Sequence, residues 1–509
     1  MRKLISLCLL TAAVTGAAAI EIDYKAEIFA GGSGGSFAPS LMGSGQYGRT
    51  ASSATALLDL SAEKKIDSSG LWSWGAGADF FTGYRHGVTY MHYSPQTQTL
   101  TDAVSATPKA VHMQQLYGQV RYRAVQLELG MRQRCGMIVN PELSSGDLIY
   151  SNNAAPIPGV SLGFNTFQNI PFTNGWVQIA GDIFYGKMMD SEYQRQQANH
   201  YDWVLATDRY YTYKYCYFRS NPHKRFYATI GMQTAGLFGG QSIWFRNGEV
   251  IQTQVRGFKF ADVWKMFFPH EGNDGSYYTG STLGSWNFRA DYELPHNFGH
   301  LAAYFEGPWE DGSGIGRLNG WDGLYGLEWR AAERGPVTAV VAEYLDFTNQ
   351  SGPLHWAPAD NPGTTITSHA SGADNYYNND VYGPFSNYGL ALGTPFLVAP
   401  YYNLNGQPAF MHTRARGCHI AVKGHILPEL EYVVKYEYEK AYGDGRHPIY
   451  RSVEGNAAML KVKYDAGRYL KGLGASITLA QDWGKLREKS HAGALLTVSY
   501  NGVFSPKRK

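Results

Sequence analysis

Carboxylates, histidines and aromatic rings at close spacing are the residues of this chain with chemistry to offer. Glu306, Glu310 and Asp311 fall within one short stretch, HLAAYFEGPWEDGSG. Two carboxyl groups about 5–10 Å apart would suit glycoside hydrolysis, one as acid and one as base or nucleophile. The same three would also serve as a hydrogen-bonding cluster at a strand end. Nothing in the sequence sets the proton affinity of one apart from that of another, so the cluster is the preferred reading. The EDGSG string favours a turn and lacks the repeating carboxylates of a calcium loop. His412, His419 and His425 lie close in sequence, the last two on the polar side of an alternating run, and read as wall-lining polar groups rather than metal ligands. The chain contains no G-x-S-x-G elbow, H-E-x-x-H pair or phosphate loop, so no catalytic residue, metal or cofactor is assigned.

Binding is the better-supported chemistry. Sugars offer apolar ring faces that stack on Trp and Tyr, and hydroxyls that bond to Asp, Asn and Arg. Two polar, aromatic stretches carry such mixtures: Trp309, Glu310 and Asp311 with Trp321 and Asp322, and Trp356 with Tyr376, Tyr377, Asn378, Asn379 and Asp380. Arg414 and Arg416 could meet the carboxylates of an acidic polysaccharide. The alternative use of all these residues is to fold their own loops.

The elements that must position them are strands. Tyr432, Val434, Tyr436 and Tyr438 alternate with Glu431, Lys435, Glu437 and Glu439. Trp286, Phe288, Ala290 and Tyr292 alternate with Asn287, Arg289, Asp291 and Glu293. Period-two alternation gives one apolar and one polar face. The pattern predicts strands near 22–30, 53–61, 72–81, 115–123, 125–132, 160–170, 176–185, 213–219, 226–232, 286–293, 300–306, 323–330, 337–344, 418–426, 430–440, 457–464, 473–482 and 491–500. The connections alternate between short (Ala124, 171–175, 220–225, 294–299, 331–336, 427–429, 465–472) and long (82–114, 186–212, 233–285, 307–322, 345–417). A sandwich gives no reason for such alternation. A transmembrane barrel with both termini at one end does. The expected fold is therefore all-β, a transmembrane antiparallel barrel of about 18 strands whose lumen is occluded by loops or a short helical segment. A small plug domain is the alternative use of the first three strands and of 213–219. Phe258 to Phe268 has helical spacing and reads as a short helix in a long loop. Pro141 to Pro158 is placed outside by this topology, with a fold back into the lumen as the alternative.

Composition agrees. Aromatics make up 14% of residues and charged residues only 17%, against roughly 25% charged in average globular chains. Residues 1–19 read as a secretory signal, with Arg2 and Lys3 before the apolar run Leu4 to Ala13 and a small-residue site at Ala17-Ala18-Ala19. The barrel domain is then 20–509. Loss of Arg2 and Lys3 leaves basic and acidic residues in balance, which offers nucleic acid no basic face. Cys135, Cys216 and Cys418 have neither metal nor redox spacing and read as small buried or lumenal side chains, with room for one disulfide.

Several strings in order also carry a family resemblance. These are E-x3-EDGSG (Glu306 to Gly314), DGLYGLE (Asp322 to Glu328), EY-x5-QSGP (Glu343 to Pro353), SSGDLIYSNNAAPIPG (Ser144 to Gly159), YYNNDVY (Tyr376 to Tyr382) and RARGCHIAVKGHI (Arg414 to Ile426). Together they resemble the Wzi family of capsule-assembly outer-membrane proteins. The resemblance implies a barrel in the outer membrane of a Gram-negative bacterium that binds or anchors capsular or exopolysaccharide without catalysis. Its surroundings would be outer-membrane lipid, with capsule-export proteins as further partners. The polysaccharide contact is expected on the 308–323 and 345–417 loops at the outside face. A diffusion porin or sugar channel and an outer-membrane hydrolase are the rival functions.

Overall fold

Inward polar and outward apolar side chains alternate along every long strand, and this alternation closes the chain into a barrel. The computed structural model describes residues 21–67, 70–268, 280–350, 374–445, 448–487 and 490–505. The leader 1–19 and Trp356 lie outside the described residues. Eighteen strands form one antiparallel sheet. They are β1 Ile22–Phe37, β2 Ser52–Lys64, β3 Trp72–Arg85, β4 Val111–Tyr122, β5 Val125–Met131, β6 Pro158–Asn169, β7 Val177–Lys187, β8 Tyr210–Ser220 and β9 Phe226–Phe238, followed by β10 Ser281–Glu293, β11 His300–Trp309, β12 Gly323–Arg330, β13 Ala339–Asp346, β14 Ala415–Leu427, β15 Leu430–Gly443, β16 Pro448–Asp465, β17 Leu473–Gly484 and β18 His491–Phe504. Each pairs with its sequence neighbour. The ring closes where β1 pairs β18, from Ile22 opposite Phe504 to Ser33 opposite Gly493. A closed ring leaves no unpaired sheet edge, as a structure spanning lipid requires.

All eighteen expected strands are present. The first three and 213–219 belong to the wall, so no separate plug domain absorbs them. The connections expected to be short gather with Ile22 and Phe504 at one rim, the turn end, and those expected to be long at the other, the loop end. Outward residues such as Trp72, Phe80, Leu129, Ile230, Phe288, Leu327 and Ile420 are exposed, whereas inward Asn287, Glu328, Glu343 and His419 are buried. No helix among the described residues is long and apolar enough to cross a membrane, and the strands supply the crossing.

Of the two placements open to Pro141 to Pro158, outside the barrel or folded back into the lumen, the structure takes the second. Residues 132–157, between β5 and β6, fold down into the lumen and form a plug with Leu148 and Ile149 fully buried. The backbone carbonyls and amides of such a segment need partners once water is excluded, and the inward polar wall supplies them. The described part of the 347–414 connection packs over the plug and is largely buried. Together they build a core inside the loop-end half of the lumen from Leu148, Tyr150, Tyr211, Tyr213, Phe347, Tyr376, Tyr377 and Phe396.

Three features were not expected. A hairpin (Val88–Ser94 with Thr99–Ala106) and a small sheet (Trp203–Thr207, Gly240–Arg246, Glu249–Arg256) stand above the wall at the loop end. The helix Phe260–Phe267 forms as its spacing predicts, but it lies outside the barrel and does not occlude the lumen. The cysteines are free. Cys135 is in the plug, whereas Cys216 and Cys418 are on the outward wall, in line with exposed Phe218 and Ile420, rather than buried or lumenal.

Candidate functional site

A buried polar constellation joins plug to wall. Three consecutive strands each point one glutamate into the lumen. Glu306 of β11 accepts from the Leu148 amide (2.8 Å) and from Asn287 Nδ2 (3.0 Å). Glu328 of β12 accepts from Asn140 Nδ2 (2.8 Å) and from Arg289 Nη2 (2.8 Å). Glu343 of β13 accepts from Ser144 Oγ (2.6 Å), the Ser145 amide (2.7 Å) and Tyr304 Oη (2.5 Å). Tyr304 reaches Glu343 by lying flat across Gly326, its partner on the strand between them. A Cβ at Gly326 would sit 2.1 Å from the Tyr304 ring, so only glycine admits this path.

Other contacts complete the latch. His419 Nε2 lies 2.8 Å from the Leu143 carbonyl, and Gln233 Nε2 donates to Asp147 Oδ1 at 2.8 Å. Burial favours the neutral form of Asp147, against hydrogen bonds from Tyr150, Gln233 and Ile149, and its carboxyl stays protonated above the usual range. At the plug floor, Glu142 bridges Lys423 (2.7 Å) and Lys463 (2.5 Å). Burial works against its charge, but the two ammonium groups outweigh burial and hold the Glu142 carboxyl down at about 2. Below the floor a cavity of about 1000 Å³ reaches the turn end, lined by Lys25, Glu27, Lys435, Lys461, Lys463 and Thr497 among others. His419 and His425 face the lumen as expected, and no group of potential metal ligands occurs among the described residues.

The residues expected to carry a ligand are only partly presented to one. Tyr376 is buried and donates to Asp322 Oδ2 (3.1 Å). Asp322, also buried, accepts from the Gln350 amide (2.8 Å). Tyr377 is buried and donates to the Leu148 carbonyl in the plug (2.7 Å). Buried Asn378 exchanges bonds with the Phe410 backbone, its Nδ2 donating at 2.9 Å and its Oδ1 accepting at 2.9 Å. Trp309 is only 5% exposed and lies over Gly284 on the outward face at the end of β11. For these five, placement on an open loop surface is corrected. Tyr376, Tyr377, Asn378 and Asp322 sit under the loops because the loops fold into the barrel mouth, and Trp309 packs flat on the neighbouring strand. Asn379 caps the following turn by accepting from the Val381 and Tyr382 amides. Arg414 holds the Thr348 carbonyl, and Glu310 Oε2 accepts from the Asn375 amide at 3.2 Å. Asp311 is half-buried. Trp321, at 80% exposed, is the member fully open to a ligand.

Sequence reasoning missed the latch, although its residues were in view. Glu306, Glu328 and Glu343 each begin or end one of the strings that carry the family resemblance, and Ser144 to Gly159 is most of the plug. Their signal was one inward carboxylate per strand over three consecutive strands, facing a segment rich in amide and hydroxyl donors.

A barrel of eighteen strands with an outward apolar belt and a lumen filled by its own loops defines a transmembrane barrel of the outer-membrane type. No protein-family model and no curated protein matches the sequence. Among solved structures, the chain is similar to Wzi of Escherichia coli, an outer-membrane protein involved in group 1 capsule assembly and a carbohydrate-binding β-barrel. The identity is 12%, the TM-score 0.56, and the match covers 97% of this chain and 87% of that one. It is also similar to OccAB2 of Acinetobacter baumannii, at 10% identity and a TM-score of 0.50 over 95% of this chain and 98% of that one. These likenesses establish the fold.

Proposed function

We propose that the protein stands in the outer membrane of a Gram-negative bacterium as a sealed barrel and holds capsular or exopolysaccharide at its loop end without transporting or cleaving it. The observation that carries this reading is the latched plug. Three wall glutamates, His419 and the Lys423–Glu142–Lys463 bridge hold residues 132–157 in the lumen, and a Tyr-rich core covers them. A wall so committed to its plug favours a fixed outer platform over a pore. The likeness to a carbohydrate-binding barrel supports a glycan as the ligand. Exposed Trp321 offers a ring for stacking, and half-buried Asp311 of the same connection a carboxylate. One stacked ring contributes on the order of 1 kcal/mol, so a polymer would gain affinity by engaging several copies at once. Capsule-export proteins are the partners this role would require.

The diffusion-channel reading draws on the lysine-lined cavity at the turn end. Two measurements separate the readings. In cells lacking the protein, capsule should be shed rather than attached, and the purified barrel should show little conductance in a planar bilayer. A steady conductance like that of an open porin, with capsule retained in the deletion strain, would overturn the proposal in favour of a channel.

A further inference from the structure

The connection between β9 and β10 carries a helix that lies against the outside of the barrel. Along β8, Tyr211, Tyr213 and Tyr217 point inward, the first two onto plug residue Tyr150. Thr212, Lys214 and Phe218 therefore point outward. The helix Phe260–Phe267 packs on this outward side. Its buried Met266 fits over Gly236 of β9, where a Cβ would meet Met266 Cε at 2.4 Å and Thr212 Cγ2 at 2.9 Å. Lys214 Nζ donates to the Met266 and Phe267 carbonyls at 2.8 and 2.6 Å, placing a cation at the negative end of the helix. Tyr185 Oη donates to the Val263 carbonyl at 2.8 Å. The helix thus has a defined seat and covers a lysine that would otherwise face lipid.

Its other side is aromatic and uncovered. Phe260 is 85% and Trp264 65% exposed, and Phe268 lies beside them with its ring 5.1 Å from that of Trp264. Lys259 and Lys265 flank the rings and are exposed. Nearer the turn end, exposed Phe218, Ile230 and Phe288 form one row across β8, β9 and β10 and belong to the lipid-facing belt. The helix sits where β8 and β9 approach their loop-end termini, Tyr210 and Phe238, so its rings extend that belt upward to the level where the wall leaves the hydrocarbon. An apolar face of Phe and Trp edged by lysines suits a helix lying in a membrane interface, and Trp is favoured at that depth.

We propose that the helix Phe260–Phe267 is an interfacial anchor. It lies in the outer leaflet with Phe260, Trp264 and Phe268 among the acyl chains and Lys259 and Lys265 toward anionic head groups. This inference rests on the barrel standing in a membrane and is independent of the glycan. The test uses the full chain reconstituted in phosphatidylcholine–phosphatidylglycerol vesicles, with and without bromine on the acyl chains close to the head group. The emission of Trp264 is the difference between the wild type and Trp264→Phe. A second reporter, Phe260→Trp in the Trp264→Phe background, covers the case in which the first variant unseats the helix. The expected result is that both signals are blue-shifted and largely lost in brominated vesicles, and are insensitive to aqueous acrylamide. Quenching by acrylamide alone would show the rings in water and overturn the proposal. Protection from both quenchers would show a second protein surface, such as another copy of this chain, and would also overturn it. If the belt tryptophans Trp72 and Trp286 are unquenched as well, the barrel is not in the bilayer and the proposal falls with the membrane reading.

Discussion

Replacing Glu343 by Ala should unlatch the plug while leaving the wall paired. The Glu343 carboxylate is buried and accepts three hydrogen bonds, from Ser144 Oγ, the Ser145 amide and Tyr304 Oη. A hydrogen bond to a charged group is worth about 1.5–3 kcal/mol, and an orphaned buried donor costs about 1–3 kcal/mol. Truncation to Ala opens space in which water can satisfy part of the loss. The expected net destabilisation of plug docking is therefore about 2–4 kcal/mol rather than the sum of three full bonds. Glu343→Gln keeps one acceptor oxygen but turns an NH₂ group toward the donors, and should cost about half as much. The assay is limited proteolysis of residues 132–157 in detergent, with heat-modifiability confirming that the barrel is closed and planar-bilayer conductance reporting the lumen. Faster cleavage in the plug and intermittent conductance should appear in the order Ala, Gln, wild type. If Glu343→Ala leaves cleavage and conductance at wild-type levels, the wall glutamates do not hold the plug, and the reasoning is refuted.

Acid should loosen the plug floor. The Glu142 carboxyl is held down at about 2 against an ordinary value of 4.5, so its contribution is complete above that ordinary value and is lost as pH falls toward 2. Its side chain is 40% exposed, and solvent screening reduces the effect to about 1–2 kcal/mol. Thermal melts between pH 5 and pH 2 should show a drop that Glu142→Gln removes, whereas an identical pH profile in the variant would exclude the bridge as its source. Trp309→Ala should lower the melting temperature, because a ring that is nearly fully buried over Gly284 leaves a cavity costing about 3–5 kcal/mol. An unchanged melt would mean that the ring is not packed. Trp321→Ala should leave the melt unchanged and weaken whole-cell binding of the polysaccharide by about fivefold, the equivalent of about 1 kcal/mol for one stacked ring. Full binding in that variant would move the contact elsewhere.

The wall was legible because its period is two and its partner on one side is lipid. Tyr432, Val434 and Tyr436 cannot be satisfied facing water in a row, so their register is forced. Strand length was less legible. β1 continues to Phe37 through Gly31, Gly32, Gly34 and Gly35, which read as a loop because glycine carries no face. The strand continues because Gly31, Gly32 and Ser33 still pair with wall strands on one or both sides, Thr55 and Ala54 of β2 and Leu495, Ala494 and Gly493 of β18. The loop residues were ambiguous for a different reason. Tyr376, Tyr377 and Asn378 offer the same rings and amides to a buried loop backbone as to a sugar, and only their three-dimensional partners decide. Leu148 and Ile149 inside a polar, Pro-bounded stretch were the one hint of the plug. They are apolar side chains with nowhere to go but inward.

The latch also orders the assembly of the molecule. The plug lies between β5 and β6, and Glu128 of β5 and Asp182 of β7 pair with its first arginines, Arg132 and Arg134. Yet the glutamates that hold Asn140, Ser144, Ser145 and Leu148 come from β11 to β13, and its floor is tied to β14 and β16. Leu148 and Glu306 are 158 residues apart in sequence, and Glu142 and Lys463 are 321 apart. Contacts of such separation form late, because chain closure must precede them. Until the second half of the barrel is in place, the Ser145 and Leu148 amides lack the glutamates that accept from them. The latch can therefore be completed only after the ring has closed, sealing the lumen from within. A barrel of this design passes through a leaky stage on its way to a closed one.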